Sequence, residues 1–327
     1  MLGFSLLQGS NLLTTLKQII LFCPIFFFAF IMLTEPLTTP PTKKLQSIYG
    51  VLVGILFAPQ FHIGAFYTTP ELALVIGNIY SYIVSPKQKI IASIQQKIKI
   101  GSDMVDFIFP LQKRLAFSPG QYMEWTLPHK NTDSRGNRRY FTIASSPTEN
   151  NLRLGVRFYP NGSSYKKAML VAETPTPIVG AQLSGDFTLP KNTKQKLVFI
   201  AGGIGITPFR SMIKYLIDIK QVRPIVLLYA NKTIDEIVYY DVFNQALQEL
   251  GIRTVYTLTG QTKIPANWQG SVGRIDAAMI AQFVPDFVER VFYLSGPHAM
   301  VSAYEQTLKG MGIGEKQIKT DFFPGFV

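Results

Sequence analysis

Residues 197–209 constrain this chain more than any other stretch. Five apolar residues, 197–201, run without a break into glycines at 202, 203 and 205, and Pro208 follows where a helix would begin. Strands that read as unbroken apolar runs are buried on both faces, the habit of parallel sheets. The glycines let the backbone turn tightly and approach a pyrophosphate, whose charge a helix N-terminus favours. A glycine turn alone is a weak signal. Set between a strand and a helix it is a strong one, and Gly202, Gly203, Gly205, Thr207 and Pro208 become candidate nucleotide-binding residues. Apolar runs at 225–230, 253–258 and 291–294 then alternate with helical periodicity over 208–219, 240–250, 276–283 and 298–311. An α/β domain with a parallel sheet is expected over 193–327.

The preceding stretch, 96–192, has a different rhythm. Short strand patterns at 104–109, 121–127, 140–144 and 152–158 are separated by turn signals, which predicts a small antiparallel barrel. Inside it lies RRYFTIASS, residues 138–146. Arg139 can clamp a phosphate with two parallel donors, and Tyr140 offers a flat ring to a flat cofactor. In an extended chain Thr142 shares a face with Tyr140, and Ser145 follows. Phosphate clamp, ring and ring-edge hydroxyl are what a flavin needs; the plainer reading is an amphipathic strand with an exposed arginine. A second phosphate cradle is NGSSYKKAM, residues 161–169, where Gly162, Ser163 and Ser164 open a short helix beside Lys166. A simple helix cap is its alternative. The GDF turn at 185–187 reads as a barrel closure without chemistry. YLSGPHAM, residues 293–300, sets Ser295, Gly296 and Pro297 at the carboxyl end of a strand, where open α/β sheets bind ligands. At the end, Asp321 and Phe323 lie two apart, and the aromatic terminus either covers a cofactor face or packs in the core.

The first 85 residues carry only five charged side chains: Lys17, Glu35, Lys43, Lys44 and Glu71. Residues 18–33 are almost wholly apolar and, with 12–16, reach the ~20 residues of a membrane span. No basic residue precedes Lys17 and no small-residue cleavage site follows, unlike a signal peptide. Two further apolar runs, 45–58 and 72–84, read as a tight membrane hairpin rather than as interfacial helices. Lys43 and Lys44 precede it and Lys87, Lys89, Lys97 and Lys99 follow, which expects a membrane protein with both ends cytoplasmic. A solvated lysine-rich linker over 86–95 is the plainer reading.

A single cysteine, Cys23, excludes an intrachain disulfide framework and a four-cysteine iron–sulfur cluster, and no metal site is expected. Three scattered histidines leave no pair for a transmembrane haem. The +12 net charge is not interleaved with aromatics on one face, so nucleic acid is not an expected partner.

In their order, RRYFTIASS, GSS, AGGIGITP, YLSGPHAM and TDFFPGF resemble the ferredoxin–NADP reductase-like superfamily over about residues 95–327. The resemblance implies an FAD-binding barrel followed by a domain for NADH or NADPH. On it Arg139 holds the FAD phosphate, Tyr140 packs on the isoalloxazine, Thr142 bonds near N5, and Ser163 and Ser164 form the second FAD-phosphate segment. Gly202, Gly203, Gly205 and Thr207 match the turn that holds the nicotinamide-nucleotide pyrophosphate. Two positions depart from the pattern: Ser295 stands where cysteine is usual, and Asp321 where a longer glutamate is common. A second resemblance links residues 28–56 to the late helices of the D-type membrane component of the Rnf complex and the related B-type component of the sodium-pumping NADH:quinone reductase. That family has many more helices, so the chain reads as a truncated fusion or a fragment starting mid-gene; the S-x-x-T-type segment that carries its covalent flavin has no match here, so that flavin and ion pumping are not carried over.

The expected architecture is multidomain: a short transmembrane α-helical segment (1–85), a basic linker (86–95), an antiparallel β-barrel FAD domain (96–192) and an α/β parallel-sheet NAD(P) domain (193–327). The expected function is a membrane-anchored flavin-dependent NAD(P)H oxidoreductase, with Ser295, Thr142 and Asp321 at the reacting atoms. Its acceptor is a separate ferredoxin-like protein, a quinone or a membrane flavin, and flow in reverse is chemically equivalent. The lipid bilayer and other subunits of a membrane redox complex complete the expected partners. The alternative is a structural docking subunit of an Rnf-like assembly. Lys232 is the one candidate for a 2′-phosphate contact, and it leaves NADH against NADPH open.

Overall fold

The computed structural model describes residues 12–22, 25–35, 38–58, 62–63, 66–85, 89–111, 113–260 and 263–323. The chain divides into two compact units, Met1–Lys87 and Gln88–Val327.

In the first unit, helix α1 (Leu12–Phe22) is followed by a single turn, Ile25–Phe27, and a π-helical turn, Phe28–Met32. Helices α2 (Lys43–Leu56) and α3 (Pro70–Val84) are each started by a threonine: Thr42 and Thr69 accept the amides of Leu45 and Leu72. They pack through Tyr49 and Val53 against Gly77, where a Cβ would lie 2.4 Å from Val53 Cγ2. The Tyr49 hydroxyl donates to Asn78 Oδ1 at 3.0 Å.

The expected transmembrane segment is corrected here. Among the described residues no helix is long and apolar enough to cross a membrane. The 14 residues of α2 and 15 of α3 rise about 21–23 Å, short of a hydrocarbon core of about 30 Å. Of the long apolar run at 18–33, helix is described up to Phe22 and again from Ile25, and Cys23 and Pro24 lie outside the described residues. Membrane localisation and the cytoplasmic orientation read from the lysines therefore lose their basis. One of those lysines is used within the fold, where Lys97 Nζ donates to the carbonyls of Leu170, at 2.7 Å, and Ala172. The outer faces of the helices nonetheless expose Ile48, Val51 and Ile55 on α2 and Val75, Ile79 and Ile83 on α3.

The second unit begins with the antiparallel lobe. Its strands are β1 (Ile90–Ile94), β2 (Gln96–Lys99), β3 (Met104–Pro110), β4 (Tyr122–Thr126), β5 (Arg138–Thr142), β6 (Asn151–Arg157) and β7 (Thr176–Ser184), with helix α4 (Ser164–Val171) before β7. They form a four-stranded sheet, β1-β7-β4-β5, and a three-stranded sheet, β2-β3-β6. Alternating residues close a core around Trp125, Phe107, Phe109, Tyr165 and Met169. β1 lies within the stretch read as linker and pairs along its length with β7.

The parallel lobe follows with β8 (Leu197–Gly202), α5 (Thr207–Asp218), β9 (Ile225–Asn231), α6 (Tyr240–Leu250), β10 (Arg253–Leu258), β11 (Ser271–Val272), α7 (Ala277–Phe283), β12 (Val291–Pro297), α8 (His298–Gly310) and β13 (Ile318–Phe323). The sheet order is β11-β10-β9-β8-β12-β13, all parallel. Strand order reverses between β8 and β12, so the ligand crevice of such a sheet opens at their carboxyl ends. Every residue of β8 is buried, as its unbroken apolar run requires.

Buried polar contacts join the two lobes. Arg210 of α5 donates to the Ala144 carbonyl at 2.9 Å and to both carboxylate oxygens of Glu149. Tyr239 donates to Asp106 Oδ1 at 2.5 Å, and within the antiparallel lobe Arg153 donates to Asp106 Oδ2 at 3.1 Å. Each buried charge here has a partner, as burial demands.

Candidate active site

Three groups of side chains build the site. The first is the glycine turn. After β8 the backbone enters a 3₁₀ turn, Gly203–Ile206, with Gly203 in the left-handed region at φ 53°. Thr207 and Pro208 then open α5, and the Thr207 hydroxyl donates to the Ile204 carbonyl at 3.2 Å. The turn presses on the end of β12: a Cβ on Gly205 would lie 2.4 Å from the Ser295 carbonyl oxygen and 2.6 Å from Gly296 Cα. Gly202, at the end of β8, packs under Met300 and beside Pro297. The turn, Gly296 and Pro297 thus converge on the switch point. Arg157 reaches it from the antiparallel lobe, held by Asp103 at 2.7 Å and Glu236 at 2.5 Å, its Nη1 3.0 Å from where a Gly203 Cβ would sit.

The second group lies at the seam between β12, β13 and the antiparallel lobe. Ser295 and Asp321 are direct partners across β12 and β13. Ser295 is buried and Asp321 half-buried with its Oδ2 shielded, and neither Ser295 Oγ nor Asp321 Oδ2 has a hydrogen-bond partner among the described residues. Burial pushes the Asp321 carboxyl up to about 6, with the nearby Asp186 carboxylate adding to the rise. Burial first, then the charges of Asp321 and Asp186, also raises the Tyr122 phenol, which places Tyr122 beside both acids. Tyr122 pairs in register with Thr142, itself buried, and meets the Tyr140 ring edge-on at 5.7 Å. Tyr140 is 44% exposed, its hydroxyl donating to Gln182 Oε1 at 2.9 Å, so one ring face is available for stacking.

The third group is an anion cradle. Arg139 faces away from Tyr140 along β5 and stacks its guanidinium 5.5 Å from the centre of the Tyr165 ring. Its Nη2 holds both oxygens of Asp133, at 2.6 and 2.8 Å, while Nη1 donates to the carbonyls of Arg135, Gly136 and Arg138. Asp133 Oδ2 also accepts the Ser164 amide at the start of α4, and Ser164 Oγ accepts the Asp133 amide at 2.9 Å. Ser163 caps the same helix by accepting the Lys166 amide, and Gly162 precedes it in a turn on Tyr159. Burial, then the charges of Arg135, Arg157 and Arg139, pulls the Lys166 ammonium down to about 8. A clamp and a helix N-terminus therefore converge on one carboxylate, while the Lys166 ammonium donates to the Arg157 carbonyl at 2.8 Å. The donor set is of the kind that takes a phosphate.

Most of the expected site residues fall into these groups. Ser145 does not: its hydroxyl accepts the Arg153 amide at 3.1 Å and its carbonyl accepts Ser211 Oγ at 2.6 Å, so it serves the seam between lobes. The side chain of Phe323 lies outside what is described, although its backbone pairs with Pro297. Asp133, Tyr122, Asp186 and Arg157 are additions that the sequence motifs do not single out. Alternation in GQYMEW points to Tyr122; Asp133 carries no motif.

The second unit shares its fold with solved reductases, one of them with FAD and NADP bound. Residues 199–306 match the family model of the oxidoreductase NAD-binding domain. The cytochrome P450 reductase GcoB of Amycolatopsis superposes with a TM-score of 0.64 over 73% of this chain and 71% of its own, at 24% identity. A ferredoxin NADP+ reductase from Neisseria gonorrhoeae with bound FAD and NADP gives 0.61 over 74% and 100%, at 18% identity. In sequence, the glycine betaine monooxygenase reductase subunit of Pseudomonas aeruginosa is 25% identical over 60% of this chain and 53% of its own length. The F component of the Na(+)-translocating NADH-quinone reductase of Serratia proteamaculans is 30% identical over 43% and 35%. The chain spans about half the length of the first of these curated relatives. The resemblance of residues 28–56 to the D-type and B-type membrane components finds no support here, since the translocating relative is the F component.

Proposed function

We propose that this chain oxidises NADH or NADPH through a bound FAD and delivers the electrons to a separate redox acceptor, such as a ferredoxin-type protein or an oxygenase component. The observation that carries the reading is the convergence of the glycine turn, Ser295, Asp321 and the Tyr122–Tyr140 pair on one switch point. When bound, FAD supplies the acceptor atom for hydride and the means to release electrons singly. The chain's own residues orient and shield. Arg139, Ser163 and Ser164 hold the flavin phosphate, Tyr140 stacks on the ring, and Thr142 bonds its edge. Gly202, Gly203, Gly205 and Thr207 hold the nucleotide pyrophosphate, and Ser295 and Asp321 line the place where the two rings meet. The antiparallel lobe carries the flavin and the parallel lobe the nucleotide. One cysteine within these 327 residues cannot hold a four-thiolate cluster, which supports an acceptor outside them.

A second reading is a docking subunit, favoured by the exposed apolar faces of α2 and α3. Anaerobic stopped-flow absorbance separates the two. The flavin band near ~450 nm, a property of the cofactor itself, should bleach rapidly with one nucleotide and identify the donor. A yellow protein that neither nucleotide bleaches rejects hydride transfer and leaves docking; a protein colourless after added FAD rejects the flavin site.

Lys166 supplies a further check. Its folded pKa of about 8 lies below the ordinary 10.5, so between those values the unfolded chain binds the proton that the folded chain lacks. Stability from this group therefore rises with pH over that window. A phosphate seated among Arg135, Arg139 and Lys166 restores the ammonium. Binding of FAD at pH 9 should take up protons, and at pH 6.5 should not, as calorimetry in two buffers of different ionisation enthalpy measures.

A further inference from the structure

We infer that Asp133 is a resident anion of the flavin-phosphate cradle, which FAD must displace to bind. The inference rests on the reading of Arg139 and Ser164 as phosphate ligands. In the present arrangement those ligands are committed elsewhere. Both Nη2 contacts of Arg139 end on Asp133, and the Ser164 amide ends on the same carboxylate at 3.2 Å. The remaining guanidinium nitrogen with a short contact, Nη1, is spent on the Arg135 and Gly136 carbonyls of the loop that carries Asp133 and on the Arg138 carbonyl at the start of β5. A phosphate cannot take the bidentate face of Arg139 while the carboxylate holds it.

The surroundings favour exchange over coexistence. Arg135, Arg139, Arg157 and Lys166 crowd this corner, and the acids among them are Asp133, Asp103 and Glu236. Asp103 and Glu236 are both bound to Arg157. Among the described residues Asp133 is thus the one anion serving Arg139, and a pyrophosphate brings more charge and more acceptor oxygens to the same donors. Apart from the Asp133 carboxylate, the loop between β4 and β5 meets the cradle through the Asp133 amide on Ser164 Oγ at 2.9 Å and through the Arg135 and Gly136 carbonyls on Arg139 Nη1. The Arg135 amide donates to Asp133 Oδ1 at 3.0 Å, and His129 Nε2 lies 3.2 Å from Ser164 Oγ. The Asp133 side chain can turn away without disturbing the β4–β5 ladder, which ends at the Thr126–Arg138 pair. Flavin binding is then an exchange of anions, with the carboxylate holding Arg139 and the start of α4 in place until the cofactor arrives.

The test compares wild type with Asp133→Asn and Asp133→Ser, each stripped of flavin and titrated with FAD by fluorescence quenching, with thermal melts before and after loading. Exchange predicts FAD affinity about tenfold tighter in both variants. It also predicts a Tm lowered by roughly a few degrees without FAD and unchanged with saturating FAD, since the variants remove a contact that only the flavin-free state makes. Affinity unchanged or weaker, or equal Tm losses in both states, overturns the inference. Should neither variant fold, hydrogen exchange of wild type decides: the Arg135 amide should exchange about tenfold faster on loading while the Ser164 amide stays protected, and an unchanged Arg135 amide refutes displacement. Arg139→Leu separates this from the underlying reading. Loss of FAD affinity there with no gain in the Asp133 variants sinks exchange alone, whereas unaltered affinity in Arg139→Leu sinks the phosphate assignment itself.

Discussion

Gly205→Ala should leave the protein yellow but unable to be bleached by either nucleotide. The added methyl would lie 2.4 Å from the Ser295 carbonyl oxygen and 2.6 Å from the Gly296 nitrogen and Cα, all of them backbone atoms. None can rotate away. β12 is fixed by pairing with β8 from Leu197↔Val291 to Ala201↔Ser295, and the turn is pinned by the Tyr229 hydroxyl on the Gly203 carbonyl at 3.2 Å. Separating the two means opening the sheet at its switch point, so the cost belongs at the upper end of overpacking, about 3 kcal/mol. On the proposed reading nucleotide affinity falls with it, because the same movement spreads the amides of the glycine turn. The proposed flavin cradle lies in the other lobe and should keep its cofactor. Gly310→Ala is the control: nothing lies within 4 Å of its added methyl, at the end of α8. Urea unfolding together with nucleotide titration reads both effects. Wild-type affinity in Gly205→Ala would remove the glycine turn from the site.

The glycine turn is legible in the sequence because every local signal agrees: unbroken apolar strand, glycines, then proline in the first turn of a helix. The same agreement locates α6, expected over 240–250 and found as Tyr240–Leu250. β1 is hidden by its setting, since lysines on either side make KQKIIASIQQK read as linker, yet Ala92 and Ile94 alternate into the core. β7 is masked by Pro175, Pro177 and Gly180, residues that usually break strands. The first 85 residues mislead because composition reports apolarity, while a membrane span also requires length in one unbroken helix. Within the candidate site, the shared face of Tyr140 and Thr142 is legible from period-two spacing. The pairing of Asp133 with Arg139 is not, because a polar loop gives no periodicity from which to place a side chain. Nor is the neighbourhood of Asp321, which depends on β13 closing beside β12 and on Asp186 arriving from a turn that reads as a closure without chemistry.

That neighbourhood sets up the second large effect: Asp321→Asn should make the protein more stable and slower. Holding a carboxyl at about 6 against its ordinary 3.8 costs the ionised folded state about 3 kcal/mol. Below pH 3.8 both folded and unfolded chains are protonated at this group and nothing is lost. Between 3.8 and about 6 the unfolded chain gives up its proton first, so stability falls as pH rises, and above 6 the full cost is present. Asparagine never ionises. The gain of Asp321→Asn in urea unfolding should therefore be absent at about pH 3.5, grow through about pH 5 and level off at about 3 kcal/mol by about pH 7. A residue that costs this much and leaves Oδ2 without a partner among the described residues is consistent with stability given up for function. In stopped flow, wild-type bleaching should show an inflection near pH 6, where the carboxyl beside Ser295 changes charge. Asp321→Asn should lose that inflection and run about tenfold slower or more. Greater stability with an unchanged rate and pH profile would leave Asp321 as a shielded acid near the site and no part of it.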